Sequence, residues 1–311
     1  MPRHSERLIR RTLGALGLGV LALTGACSST GSTPTTMATT STPTPVVPAA
    51  RLLPTTIETA SYADPSRAVI SGGVELAASR QIPVGIERPQ QAGRFPLIVF
   101  APGYDTSPLS YGRLTHLLAQ QGYVVVALSF PLEDPTRGYA LDRSDLPNEA
   151  QDLRFVISRL LASALAPHLD PSHISLVGHS DGADAVLQAA YELGHADDRI
   201  DAVIALAPDA LSFAPIQGGP PALIIHGSAD EIVDPAATDQ VIAALRGLRF
   251  EATVAGADHA TSILETTPLS ATFDGLILLA LRDLSAAPSH LAVDARSFHS
   301  VAIRKVGSTT Q

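Results

Sequence analysis

Only one cysteine, Cys27, occurs in 311 residues. A lone thiol so close to the start closes no intrachain disulfide and builds no Cys-ligated metal site. Tryptophan is absent, and Lys305 is the one lysine against many arginines and alanines, the bias of a GC-rich coding sequence. The longest apolar run, Leu13 to Leu23, is short of the roughly 20 residues a membrane-spanning helix needs. There is no phosphate-binding glycine loop, no dinucleotide fingerprint, no metal-spaced histidine cluster and no internal repeat, so no cofactor is expected. Positive charge is also scarce. The formal net charge is −9, which disfavours nucleic acid and anionic lipid head groups as partners.

What the chain does have begins with an export-like leader. Arg3, Arg7, Arg10 and Arg11 precede the Leu13–Leu23 core, and Thr24-Gly25-Ala26 leads into Cys27. Residues 1–27 therefore read as a signal segment. The junction resembles a bacterial lipobox, with Leu23 one position further from the cysteine than the commonest pattern. That resemblance implies lipid attachment at Cys27 and anchoring to the outer face of the cell membrane. An ordinary signal peptide with an incidental cysteine is the alternative. If Cys27 is lipidated, no thiol is left for catalysis. Residues 28–50 are almost wholly Ser, Thr, Pro, Gly, Ala and Val, too poor in large apolar groups to repay ordering, and are expected to be a disordered tether.

Residues 51–284 suffice for one large domain. Short apolar runs alternate with helical patterns there. Strands are expected at 96–100, 123–129, 174–177, 201–206, 222–225 and 249–254, and helices at 109–121, 148–165, 183–193, 235–245 and 268–284. Continuous apolar strands separated by helices predict a doubly wound, mostly parallel α/β sheet covered on both faces, with ligands at the carboxyl ends of the strands. Residues 69–78 and 82–87 are expected to form an antiparallel entry into that sheet. The tail 285–311 is left open between packing and hanging free.

The pentapeptide Gly178-His179-Ser180-Asp181-Gly182 sits between an apolar strand and an Ala-rich helix. It has the G-x-S-x-G spacing of a nucleophile elbow, where a strained turn lifts a serine hydroxyl above a sheet. Chance alone gives ~0.1 such matches in a chain of this length, so context has to carry the reading. A helix N-cap serine is the competing one.

The context resembles the α/β-hydrolase family over nearly all of residues 67–284, in particular bacterial dienelactone-hydrolase-like and cutinase-like ester hydrolases. The resemblance implies a Ser…Asp…His order. Ser180 is the nucleophile. Asp230, in His226-Gly227-Ser228-Ala229-Asp230, is the orienting acid, with Asp209 as the alternative and Asp234 better suited to capping a helix. His259, in Ala257-Asp258-His259-Ala260, is the base. Of the other histidines, His179 is fixed in the elbow and His226 is expected to be packed and structural. The oxyanion donors are the backbone N–H of Asp181 and, from the Ala101-Pro102-Gly103-Tyr104 loop, that of Tyr104. Asp181 departs from the methionine usual there in polyester hydrolases, and its carboxylate opposes an oxyanion unless paired or turned away. The connection from Pro131 to Pro147, with Glu133, Asp134, Arg137, Asp142, Arg143 and Asp145, is expected to be solvated, with bordering the site as the other option. Only about fifteen residues separate Leu206 from Ala222, which leaves no room for a cap domain. The expected function is a serine esterase acting on a small-molecule or lipid-like ester. A prolyl-oligopeptidase-like peptidase or amidase, and a catalytically idle surface binding protein, are the competitors.

Overall fold

A computed structural model describes residues 52–307. The expected signal segment with Cys27, the tether 28–50, Arg51 and residues 308–311 lie outside the described residues.

The chain opens with β1 (Thr55–Asp64), β2 (Val69–Ser71), β3 (Val74–Ala77) and β4 (Arg80–Pro89). Alternation follows: β5 (Phe95–Ala101), α1 (Gly112–Gln120), β6 (Val124–Leu128), α2 (Leu146–Leu161), β7 (Leu169–His179), α3 (Asp181–Tyr191) and β8 (Ala202–Leu206). The chain then runs through β9 (Ala222–Gly227), α4 (Pro235–Ala244), β10 (Arg249–Val254), the short α5 (Thr261–Leu264), α6 (Ser270–Ala286), the short α7 (Leu291–Asp294) and β11 (Val301–Val306).

Nine strands form one sheet in the order β1-β4-β6-β5-β7-β8-β9-β10-β11. The six from β6 to β10 are parallel, while β4, β1 and β11 join antiparallel. Their apolar residues alternate between two cores, as a sheet buried on both faces requires. Leu97 and Val99 face one side with Leu153, Val156, Ile157 and Leu160 of α2 and most of α3. Ile98 and Phe100 face the other with Leu114 and Leu118 of α1 and Phe273, Leu276, Ile277 and Ala280 of α6. Each such side chain, fully buried, contributes about 1.5–3 kcal/mol. The chain winds from β5 to β6 on one side and then returns to place β7 on the other side of β5. Doubly wound sheets bind their ligands at such a reversal, here at the carboxyl ends of β5 and β7.

Three expectations change. Residues 69–78 do not enter the main sheet; β2 and β3 form a separate two-stranded hairpin, and β1 pairs with β4 instead. β1 is an edge strand with Ile57 71% exposed, so it lacks the apolar run that marks a strand in sequence. The last helix passes residue 284 and ends at Ala286, after which β11 extends the sheet by pairing with β10 along its whole length. Residues 285–307 thus belong to the fold. Between β8 and β9 the described residues hold only an isolated bridge, Glu192 to Pro215, and no cap. Among the described residues no helix is long and apolar enough to cross a membrane.

Candidate active site

Ser180 lies between the last residue of β7 and the first of α3 with φ 56° and ψ −126°, a region non-glycine residues seldom occupy. Its neighbours make that turn possible. A Cβ on Gly178 would lie 2.2 Å from the Gly182 carbonyl oxygen, and one on Gly182 would lie 2.2 Å from that of Ala101. The Ser180 hydroxyl does not cap α3. It meets His259 Nε2 at 3.0 Å instead.

His259 sits on the loop after β10, and its Nδ1 meets Asp230 Oδ2 at 2.8 Å. The loops carrying the two residues are laced together. Ser228 N–H donates to the Val254 carbonyl at 2.9 Å and Ala229 N–H to the Ala257 carbonyl at 2.8 Å. A Cβ on Gly227 would lie 2.4 Å from that same Ala257 oxygen, so only glycine lets the loops approach. The second Asp230 oxygen accepts the amides of Ile232 and Val233, each at 2.9 Å. Burial alone would raise the Asp230 pKa, but the His259 hydrogen bond and these two amides outweigh it and hold the carboxyl below its ordinary value. A carboxylate so held fixes Nδ1–H and leaves Nε2 free to accept the serine proton.

The remaining histidines near the site are structural. His226 pairs through Nδ1 with Thr238 Oγ1 at 2.8 Å, and burial lowers its pKa. His179 does more than its place in the elbow implies. Its Nε2 lies 2.9 Å from the His259 carbonyl oxygen, which only accepts, so Nε2 carries the proton. Nδ1 then accepts the Tyr111 hydroxyl at 2.8 Å, and that oxygen accepts the Gly103 amide at 3.0 Å. Burial, then nearby His259, lower the His179 pKa to about 4, so this chain from the His259 backbone to Gly103 stays neutral. Nothing in sequence marks Tyr111, which lies on a different element from both partners.

A Cβ on Gly103 would lie 3.0 Å from the His179 carbonyl oxygen and from Ser180 Cβ, so the loop after β5 presses directly onto the elbow. Among the described residues neither the Tyr104 nor the Asp181 backbone N–H donates to a protein acceptor. Both are left free beside Ser180, as an oxyanion hole requires. The Tyr104 ring is 37% exposed.

The Asp181 carboxylate turns away into a two-pronged pair with Arg143, whose Nε lies 2.6 Å from Oδ2 and whose Nη2 reaches Oδ1. Asp209, the alternative acid, lies on that same arginine at 3.5 Å and makes no bond to His259. The connection 131–147 is solvated in its middle, where Pro135, Thr136, Gly138, Ala140, Arg143 and Ser144 are exposed, but not along its whole length. Glu133, Asp134 and Asp145 are buried; Asp134 accepts from Ser129 at 2.6 Å, and Asp145 forms a fork with buried Arg80. The acids and arginines gathered between two prolines were the available signal, because an ionised carboxylate is seldom buried without a partner. Among the described residues no group of three or more His, Cys, Asp or Glu is arranged to hold a metal ion.

A family model described as chlorophyllase matches residues 64–232 of this chain. The chain belongs to the chlorophyllase family. The chlorophyllase match takes in the Gly103–Tyr104 loop, the elbow and Asp230, and stops before His259. No curated protein matches the chain by sequence. Among solved structures, a ferulic acid esterase from Streptomyces cinnamoneus superposes with a TM-score of 0.56 at 22% identity, covering 67% of this chain and 75% of that chain. At that identity the likeness speaks for the fold, which is the α/β-hydrolase fold with its mostly parallel sheet.

Proposed function

We propose that this member of the chlorophyllase family is an exported serine hydrolase that cleaves carboxylic esters through an acyl-enzyme on Ser180. The observation that carries the reading is the continuous Ser180–His259–Asp230 hydrogen-bonded array with Ser180 held at positive φ. In the first step His259 Nε2 takes the Ser180 proton as Oγ attacks the ester carbonyl carbon. The carbonyl oxygen becomes an oxyanion held by the Tyr104 and Asp181 amides. As the tetrahedral species collapses, Nε2–H passes to the departing alkoxide, and the alcohol leaves. Water, deprotonated by the same Nε2, then attacks the acyl-enzyme, and collapse returns the proton to Ser180 Oγ with release of the acid. Asp230 remains ionised throughout and balances the imidazolium.

The uncapped crevice suits accessible esters, and the Tyr104 ring borders the acyl side. The loop Ala101 to Tyr104 supports a kinship in oxyanion architecture with cutinase-like hydrolases. Lipidation of Cys27, with residues 28–50 as tether, would hold the enzyme at the outer face of the membrane. The test is hydrolysis of p-nitrophenyl esters from acetyl to palmitoyl, together with chlorophyll and feruloyl esters, by the protein and by Ser180→Ala. Activity present in the first and lost in the second is the expected result. Equal activity in both, or amide cleavage without ester cleavage, contradicts the proposal.

A further inference from the structure

Two hydroxyl groups close on the loop that carries the Tyr104 amide, and no step of the reaction above uses them. The Tyr111 oxygen accepts the Gly103 N–H at 3.0 Å. The Thr106 hydroxyl donates to the Gly103 carbonyl. A carbonyl oxygen only accepts, so the Thr106 proton is committed there. Both polar groups of the Gly103 main chain are thus held by side chains a few residues further along the loop.

The Thr106 bond bears directly on Tyr104. The Gly103 carbonyl and the Tyr104 N–H belong to one planar trans peptide and point in opposite directions, so fixing the carbonyl fixes the N–H. A hydrogen bond to the carbonyl also polarises that amide and strengthens its N–H as a donor. The next amide in the turn is spent elsewhere. Asp105, at φ 56°, gives its N–H to the Glu133 carbonyl at 3.0 Å.

Tyr111 supplies a rigid anchor. It is fully buried, and its ring packs on Phe100 of β5 with centroids 4.7 Å apart and edge-on to His179 at 5.8 Å. Its proton goes to His179 Nδ1 at 2.8 Å, and His179 Nε2–H goes to the His259 carbonyl at 2.9 Å. Donation runs one way along this chain, from Gly103 through Tyr111 and His179 to His259, so each bond reinforces the next. The loop of the oxyanion donor is thereby tied to the main chain of the base.

We infer that Tyr111 and Thr106 are positioning residues for the oxyanion hole: Tyr111 holds the Gly103 N–H against the base loop, and Thr106 sets the plane of the peptide that presents the Tyr104 N–H. This rests on the ester-hydrolase reading above. Loss of either hydroxyl leaves Ser180, His259 and Asp230 in place but lets the Tyr104 amide turn from the developing oxyanion. An interaction made mainly in the transition state is then lost, so kcat falls while KM holds.

The experiment compares the wild type with Tyr111→Phe, Thr106→Val and Thr106→Ser. Ester hydrolysis gives kcat, per titrated active site, and KM. Inhibition by an alkyl boronic acid, whose tetrahedral adduct on serine sets an oxygen in the oxyanion hole, gives a second readout. Tyr111→Phe and Thr106→Val are each expected to lose about 10-fold or more in kcat with KM within about twofold, and to weaken boronic acid inhibition by a similar factor. Thr106→Ser keeps the hydroxyl and should stay within about threefold of the wild type in both. Thr106 is only half-buried, so its two variants decide the matter even where Tyr111→Phe does not fold. A lowered melting temperature with kcat per active site and boronic acid inhibition unmoved would show a merely structural role and overturn the inference. So would Thr106→Ser as impaired as Thr106→Val, or a change confined to KM. Neither ester hydrolysis nor boronic acid binding in the wild type would instead overturn the hydrolase reading itself.

Discussion

Two buried carboxyl groups, Asp230 and Glu133, are held in opposite states. On the His259 side, Asp230 is buried yet receives three hydrogen bonds, from His259 and from the amides of Ile232 and Val233, and is held ionised. On the elbow side, Glu133 is buried more deeply, meets acids almost everywhere it faces and no donor, and has its pKa pushed up to about 9. Burial raises both pKa values and is the main cause at Glu133, whereas at Asp230 the His259 hydrogen bond and two amides outweigh it. On the proposed acyl-enzyme route each state suits its place, with a negative charge needed opposite the imidazolium and none tolerable where the oxyanion would form.

The largest effect should come from weakening the ionised side. Asp230→Asn keeps the shape but allows the wrong imidazole tautomer, and kcat is expected to drop by ~10⁴-fold with KM little altered. A loss below tenfold in steady-state ester hydrolysis would mean that another group, with Asp209 the obvious candidate, orients His259. Next comes the pairing on the elbow side. Arg143→Ala strands the Asp181 carboxylate next to the oxyanion amide, with an expected kcat loss of about 10- to 100-fold. Adding Asp181→Asn should recover most of it. Failure of the double variant to recover would mean that Arg143 serves the reaction in some way other than neutralising Asp181.

The last effect is on stability and leaves turnover aside. A carboxyl whose folded pKa is raised stabilises fully below its unfolded value of 4.5 and loses that contribution as pH climbs towards about 9. Asp230, with its lowered pKa, acts in the reverse sense and loses its contribution as pH falls. Glu133→Gln should therefore melt close to the wild type at pH 4 and increasingly above it as pH rises, by on the order of ten degrees at pH 8. A gap that does not widen with pH would place the Glu133 proton elsewhere.

Much of this comparison was legible in sequence on one side and illegible on the other. The elbow is marked because a sharp turn demands specific residues at specific spacings, and Asp230 and His259 follow from the resemblance to α/β-hydrolases. Gly178 and Gly182 are required by backbone approaches of 2.2 Å. The parallel strands were legible because each is a continuous apolar run buried on two faces. β1 was not, since an edge strand buries too little to carry a pattern, and β11 was hidden in a tail rich in polar residues. The acidic surroundings of Asp181 were missed for a different reason. A run such as Glu133 to Asp145 looks solvated until its partners are known, and of these Arg80 and Asp181 come from distant parts of the chain while Ser129 lies just ahead of the run. The link from His179 through Tyr111 to Gly103 is likewise a product of tertiary packing.

The central claim is that Ser180 is a nucleophile activated by His259. Its most direct test is treatment of the intact protein with a fluorophosphonate, followed by peptide mapping by mass spectrometry. A single adduct on Ser180, formed far more slowly in Asp230→Asn, is the result this account predicts. No adduct, or one on another residue, would contradict it.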